Sequence, residues 1–179
     1  INTIKKYAQK DKRIKFLINE KNMGLAASLN KGIDVAQSQY IARMDADDIS
    51  MPERLEKEFT FLENNADIDI ISTNKIDIDE NDDIINIPSN LPTKDEEIKK
   101  ILKITSIITH SGAMFRKEKV EKIGKYRLFP ASQDYDLWLR ASYYKLKFAI
   151  IDEQLVKYRI RRNNISNTNP LKQYLLKEY

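Results

Sequence analysis

Three carboxylates, Asp45, Asp47 and Asp48, crowd the start of the stretch MDADDISMPERL (44–55). They follow YIARM (40–44), which reads as the end of a strand. An Asp after a strand is ordinary, because Asp makes turns and caps helices. That accounts for one of the three. Three neighbouring carboxylates repel one another and raise each other's pKa unless a cation sits among them. A hard divalent ion such as Mg²⁺ or Mn²⁺ takes oxygen ligands and shares one or two carboxylates with substrate phosphates. Open α/β sheets bind ligands beyond the carboxyl ends of their strands, and the cluster occupies such a place. Metal–phosphate chemistry is therefore the leading expectation. The EF-hand pattern fails, since Ile49 and Ser50 stand at the third-ligand and Gly positions. A phosphatase with a nucleophilic Asp also carries D-x-D after a strand, but needs a Lys and further acids downstream.

The elements that must position these acids can be read from periodicity. Residues 1–10 carry a weak helical pattern, and RIKFLI (13–18) reads as a strand. GLAASLNKGIDVAQ (24–37) is an amphipathic helix. After the acids, Ser50 and Glu53 form an S-x-x-E capping box with Pro52 in the first turn. The helix they start, to about Asn64, is expected to bury Leu55, Phe59 and Leu62. IDIIST (68–73) is a strand, and residues 75–87 are two strands around a turn at 80–83. A helix over 93–104 is capped by Thr93. SGAMF (111–115) is a short strand, followed by a helix over 117–123 that ends at Gly124. QDYDLWLRASYY (133–144) is a helix. FAIID (148–152) and LVKYRI (155–160) read as a closing hairpin, and NPLKQYLLKEY (169–179) as a terminal helix. Helices alternating with strands in the first half predict an α/β fold with some parallel sheet.

Composition narrows the function classes. The chain has 179 residues, enough for one domain with a core. It has no cysteine, which excludes disulfides and thiolate metal sites. No apolar run approaches the roughly 20 residues of a membrane-spanning helix. The net charge of +4 is mild and its basic residues are interspersed with acids, so nucleic acid is not an expected partner.

The neighbours of the acids carry a resemblance. Asn22-x-Gly24-Leu25, Asn30-x-Gly32, then Asp45-x-Asp47-Asp48 with Pro52-x-Arg54-Leu55, resembles family 2 glycosyltransferases of the GT-A fold. His110-Ser111, Met114-Phe115-Arg116, the run Asp134-Tyr135-Asp136-Leu137-Trp138-Leu139-Arg140 and Tyr158-Arg159 continue the match in order over nearly the whole chain. The resemblance implies a GT-A-like mixed sheet flanked by helices. It also implies transfer of a sugar from a nucleotide-diphosphate donor to a glycan or lipid-linked acceptor hydroxyl, with inversion, as in bacterial surface polysaccharide synthesis. Asp45 would face the ribose or sugar. Asp47 and Asp48 would hold Mn²⁺ or Mg²⁺, and Asp48 would also stand on the substrate side. Asn22, Asn30, His110, Trp138, Arg159 and Arg161 would line the substrate site, with Arg162 as a further cation for the diphosphate. Asp134 would be the general base, kept ionised by the start of its helix. Asp136, four residues before Arg140, is expected to form an i,i+4 pair. The family setting is cytoplasmic, with association at the inner membrane face.

Departures from the pattern are Gln133 where relatives usually carry Glu, Leu29 where many carry Arg, and Arg161 where His is common. The family opens with a strand ending near Pro-x-Tyr-Asn and a second ending Asp-Asp-Gly-Ser, and neither precedes residue 18 here. The expectation is an N-terminally truncated catalytic domain lacking the first two strands. Residues 1–50 would be the remainder of the nucleotide-binding half and 51–179 the acceptor and catalytic half. Alone, the fragment is expected to be inactive and prone to homo-oligomerise through exposed strand edges. Two rivals stand beside the transferase: a sugar-nucleotide nucleotidyltransferase, which needs a Gly-rich basic loop near its N-terminus, and a non-catalytic sugar-binding or scaffold domain on the same fold.

Overall fold

The computed structural model describes residues 2–129 and 132–161. Helix α1 (Asn2–Lys10) and α2 (Leu25–Val35) precede a short strand β1 (Tyr40–Ala42). The acid loop follows, then β2 (Ile49–Ser50), α3 (Arg54–Asn64) and β3 (Ile70–Ile78). Next come β4 (Ile84–Asn86), α4 (Asp95–Leu102), β5 (Ala113–Arg116), α5 (Lys117–Lys122), α6 (Gln133–Tyr143) and β6 (Phe148–Arg159). The strands form one mixed sheet in the order β1-β5-β3-β6-β2, with β4 paired to the far half of β3. Among the described residues only β3 and β6 run parallel.

The central strands are buried on both faces. Ile70, Phe115 and Phe148 point to one side, into a core with Ile33, Ile98, Leu102, Leu137 and Trp138 from α2, α4 and α6. Their neighbours Ile71, Met114 and Ala149 point to the other side, against Leu62 of α3 and Tyr40. A strand covered on both faces has no polar alternation, which is why IDIIST is a nearly unbroken apolar run. Helices on both faces of a mixed sheet are the α/β architecture expected from the sequence.

Several local expectations are corrected. RIKFLI has no strand pairing, and Ile14, Leu17 and Ile18 are all exposed. A strand needs a neighbour for its ladder, and none of the described residues provides one there. The capping box does not form. Ser50 is drawn into β2, pairing with Val156, and α3 starts behind Glu53 without a side-chain cap. The face of α3 is also rotated from the one expected: Arg54, Glu58 and Leu62 are buried, while Leu55 and Phe59 are half exposed. Thr93 does not cap α4, and Asp95 Oδ1 instead accepts from the Phe148 amide at 2.9 Å. The expected closing hairpin is a single strand, β6, whose register against β3 shifts near Asp152–Gln154. Residues 70–78 likewise form one strand, β3, where two were expected, and the turn falls at 79–83. The expected terminal helix over 169–179, and Arg162, lie outside the described residues.

Candidate functional site

The loop after β1, Lys75 of β3, the end of β6, the start of α2 and the start of α6 surround a cleft of about 1130 Å³. Asp45, Asp47, Asp48, Asn22, His110, Asp134, Arg159 and Arg161 all line it. Nearly half the chain separates Asp48 from Asp134 in sequence, and the fold brings them to one opening.

Asp45 is held from two sides. Arg43, two residues earlier and just past the end of β1, forks onto both of its oxygens. Ser111 Oγ donates to Asp45 Oδ2 at 3.1 Å and accepts from Arg43 Nη1 at 2.9 Å. Arg43 and Ser111 are both buried. Ser111 belongs to the His110-Ser111 motif, which assigns it no role, and Arg43 carries no sequence signal beyond its two-residue spacing from Asp45.

Beneath the loop, Arg54 is the second anchor. Its guanidinium is wholly buried, donates to the Arg43 carbonyl at 2.7 Å, and pairs with Glu58 at 2.8 Å. Burial pushes the Glu58 carboxyl up to about 7 despite Arg54. The P-x-R-L motif thus places a cation under the strand end rather than in the cleft.

Arg159 fixes the far side of the loop. Its backbone amide donates to Asp48 Oδ1 at 2.8 Å, its Nε to the Asp47 carbonyl at 2.8 Å, and its Nη1 to the Asp79 carbonyl at 2.6 Å. Arg161 lies 3.5 Å from Asp47 Oδ2 and is half exposed. Asp48 Oδ2 is buried without a hydrogen-bond partner. Burial raises the Asp48 pKa, and the nearby charges of Asp45 and Asp47 add to the rise. A buried carboxylate oxygen with no partner, beside a second carboxylate, suits a divalent cation whose other ligands are phosphate and water. Among the described residues no three His, Asp or Glu side chains converge on one point, so the donor set fits a shared site rather than an all-protein cage.

Asp134 sits in the first turn of α6 and faces the cleft. Burial raises its pKa, against the pull of the Tyr135 amide, its own amide and Arg43. The expectation that the helix start would hold it low is therefore corrected: the surrounding protein outweighs the dipole. Asp136 pairs with Arg140 at 2.8 Å, as its spacing predicts.

Asn22 Oδ1 accepts from the Gly24 amide at 3.0 Å, and Gly24 turns into α2 at a φ of +79°, which suits glycine. His110 Nε2 meets the Tyr126 hydroxyl at 2.8 Å. Burial and the Arg43 charge hold its pKa well below the usual histidine value, so it is neutral. Two expected site residues lie away from the cleft wall. Asn30 uses its side-chain amide on the backbone of Tyr126, donating to its carbonyl at 2.8 Å and accepting from its amide at 3.0 Å. Trp138 is fully buried, edge-on to His110, with its Nε1 unpartnered.

Known proteins share these features. The family model described as Glycosyl transferase family 2 matches residues 2–124. An uncharacterized glycosyltransferase of Methanocaldococcus jannaschii is 43% identical over 96% of this chain and 60% of its own length. The amylovoran biosynthesis glycosyltransferase of Erwinia amylovora is 32% identical over 78% of this chain and 52% of its own. The chain thus spans a little over half the length of these relatives. Among solved structures, a mannosyltransferase from Pyrobaculum calidifontis, in complex with GDP-Man and Mn²⁺, superposes with a TM-score of 0.66 at 13% identity. That match covers 91% of this chain and 45% of the mannosyltransferase, and establishes the GT-A fold. With a mixed sheet of that fold, an acid loop at a strand end and a family model spanning most of its length, the chain belongs to glycosyl transferase family 2.

Proposed function

We propose that the cleft is the reaction site of an inverting, cation-dependent glycosyltransferase that uses a nucleotide-diphosphate sugar. The observation that carries this reading is the convergence of the acid loop and Asp134 on one opening. Asp45, pre-oriented by Arg43 and Ser111, accepts hydrogen bonds from hydroxyls of the ribose or sugar. Asp47 and Asp48 hold Mn²⁺ or Mg²⁺, with the unpartnered Asp48 Oδ2 as the leading ligand atom. When bound, the cation offsets the charge that develops on the departing diphosphate. Arg161 adds positive charge on that side, and Arg159 keeps the loop in register. Asp134 takes the proton of the acceptor hydroxyl as its oxygen bonds to the anomeric carbon and the bond to the diphosphate breaks. A carboxylate with a raised pKa is the stronger base for that step. His110, neutral, offers a hydrogen bond at the wall.

The Pyrobaculum mannosyltransferase, solved with GDP-Man and Mn²⁺ bound, supports the donor class and the cation. The amylovoran biosynthesis relative supports a place in polysaccharide synthesis, for which a glycan or lipid-linked acceptor is our reading. No helix of the described residues is long and apolar enough to cross a membrane. Residues 1–50 would contribute the nucleotide side of the cleft, and 51–179 the acceptor side.

The test is Asp134→Asn in the full-length protein. Sugar transfer is expected to fall at least about 100-fold, with binding of UDP or GDP in Mn²⁺ retained. Full transfer by the variant would remove Asp134 as base. Gln133, where the family resemblance would usually place Glu, favours a non-catalytic sugar-binding reading as the second choice. Absence of both transfer and donor hydrolysis by the full-length protein across a donor screen would support it.

A further inference from the structure

The Lys75 ammonium lies 4.3 Å from the centroid of the Tyr158 ring, and both side chains line the cleft. They come from adjacent parallel strands. Lys75 of β3 is level with Val156 of β6, so Tyr158 is two residues further along on the same face. Lys75 also pairs with Asp77, whose other oxygen accepts from Asn86 Nδ2 at 3.1 Å. Asp77 engages one of the three N–H groups of the ammonium, which leaves donors to spare. The Tyr158 hydroxyl makes no hydrogen bond among the described residues.

We propose that Lys75 and Tyr158 form a phosphate-oxygen subsite on the wall of the cleft, beside the acid loop. The inference rests on the transferase reading. Burial and then the charges of Asp48, Asp45, Asp134 and Asp47 push the Tyr158 phenol above its usual pKa. It therefore stays an O–H donor, and those four carboxylates are near enough for their field to reach it. A phosphate oxygen that reaches this wall meets the Tyr158 O–H together with the N–H groups of Lys75 that Asp77 does not engage, a pair of donors that a phosphate with several acceptor oxygens can use at once. The phosphate belongs either to the donor diphosphate or to a diphosphate on a lipid-linked acceptor.

The test compares the unsubstituted full-length protein with Tyr158→Phe and with the paired change Lys75→Met and Asp77→Asn. The pairing avoids leaving a buried Asp77 unneutralised. Calorimetry with UDP and with GDP in Mn²⁺ is expected to show about tenfold weaker binding in each variant, with uridine and guanosine unaffected. If nucleoside diphosphates bind as before while KM rises about tenfold for a diphosphate-bearing acceptor alone, the subsite serves the acceptor. Unchanged affinity and unchanged KM, or equal losses for phosphate-free ligands, would overturn the proposal. Should the unsubstituted protein transfer no sugar yet bind UDP or GDP with the same dependence on Tyr158, the subsite stands and the transferase reading falls.

Discussion

Asn30 and Tyr126 are locked together by a reciprocal pair of hydrogen bonds across 96 residues of chain, side-chain amide to backbone amide and carbonyl. The contact ties α2 to the segment after α5 and makes Asn30 a structural bolt. Asn30→Ala is expected to cost about 1–3 kcal/mol of stability, because it leaves two backbone groups short of partners. Well below the melting temperature, KM for the donor should stay within about twofold. A large rise in KM without loss of stability would show that Asn30 touches substrate.

Asp134 links activity and stability with opposite signs. Its folded pKa lies above the unfolded value of 3.8, so the fold favours the protonated form. Its contribution to stability is complete below the unfolded pKa and is lost as pH rises through the folded one. If Asp134 is the proposed base, transfer should rise with pH over that same window. Asp134→Asn should therefore melt at a higher temperature than the parent at pH 8, with the difference fading toward pH 4. A pH series of melting curves and initial rates checks both halves.

Glu58 adds a second pH-dependent contribution to the melting behaviour. Its pKa of about 7 in the fold exceeds the unfolded 4.5, so stability should fall as pH climbs from about 5 to 8. Glu58→Gln should flatten that decline. Arg54→Met should cost about 3–5 kcal/mol, since it removes the partner of a buried carboxyl and frees the Arg43 carbonyl.

Gly112 has no room for a side chain. A Cβ there would lie 2.8 Å from Thr73 Oγ1 and 3.4 Å from Val156 Cγ2. Gly112→Ala is expected to cost about 1–3 kcal/mol and to displace the adjacent Ser111, weakening its hold on Asp45. Lower melting temperature together with reduced kcat/KM is the expected pair of readings. Gain of stability would show that the turn repacks freely.

Asp48→Asn replaces the partnerless buried oxygen or its mate with an amide nitrogen that cannot ligate a cation. Mn²⁺ affinity in the presence of UDP or GDP should fall at least about tenfold, while the fold is as stable or slightly more stable at pH 8, because the raised pKa shows that the charge is costly there. Chelation should abolish transfer by the parent protein. Unchanged Mn²⁺ binding by the variant would move the cation elsewhere.

The acid loop was legible because its chemistry is local: three acids in sequence remain three acids at one place. Asp136 with Arg140 was legible for the same reason, one helical turn being a fixed distance. The α3 face was not. Leu55 and Phe59 look like core by type, but the buried stripe is set by Arg54 and Glu58, whose burial depends on the strand end they anchor. Asp152 to Gln154 looks like a hairpin turn because polar residues interrupt two apolar runs. A parallel neighbour as long as β3 lets the chain continue straight through with a shift of register. RIKFLI has strand composition, and pairing is a property of neighbours rather than of composition. The role of Arg43 was hidden because a basic residue in a strand usually signals a solvent face, whereas here the carboxylate two positions on holds it inside.

The position of β6 has a consequence for how the protein is made. The amide that fixes Asp48 belongs to Arg159, 111 residues later in the chain. The parallel pairing with β3 that carries it is likewise long-range, and contacts of this kind close late in folding. During synthesis the acid loop therefore leaves the ribosome well before its clamp, and stays without it until β6 arrives. Stalled or prematurely ended chains that lack β6 would present the acids without the grip that arranges them, so the loop takes up its ordered form only after β6 has been made.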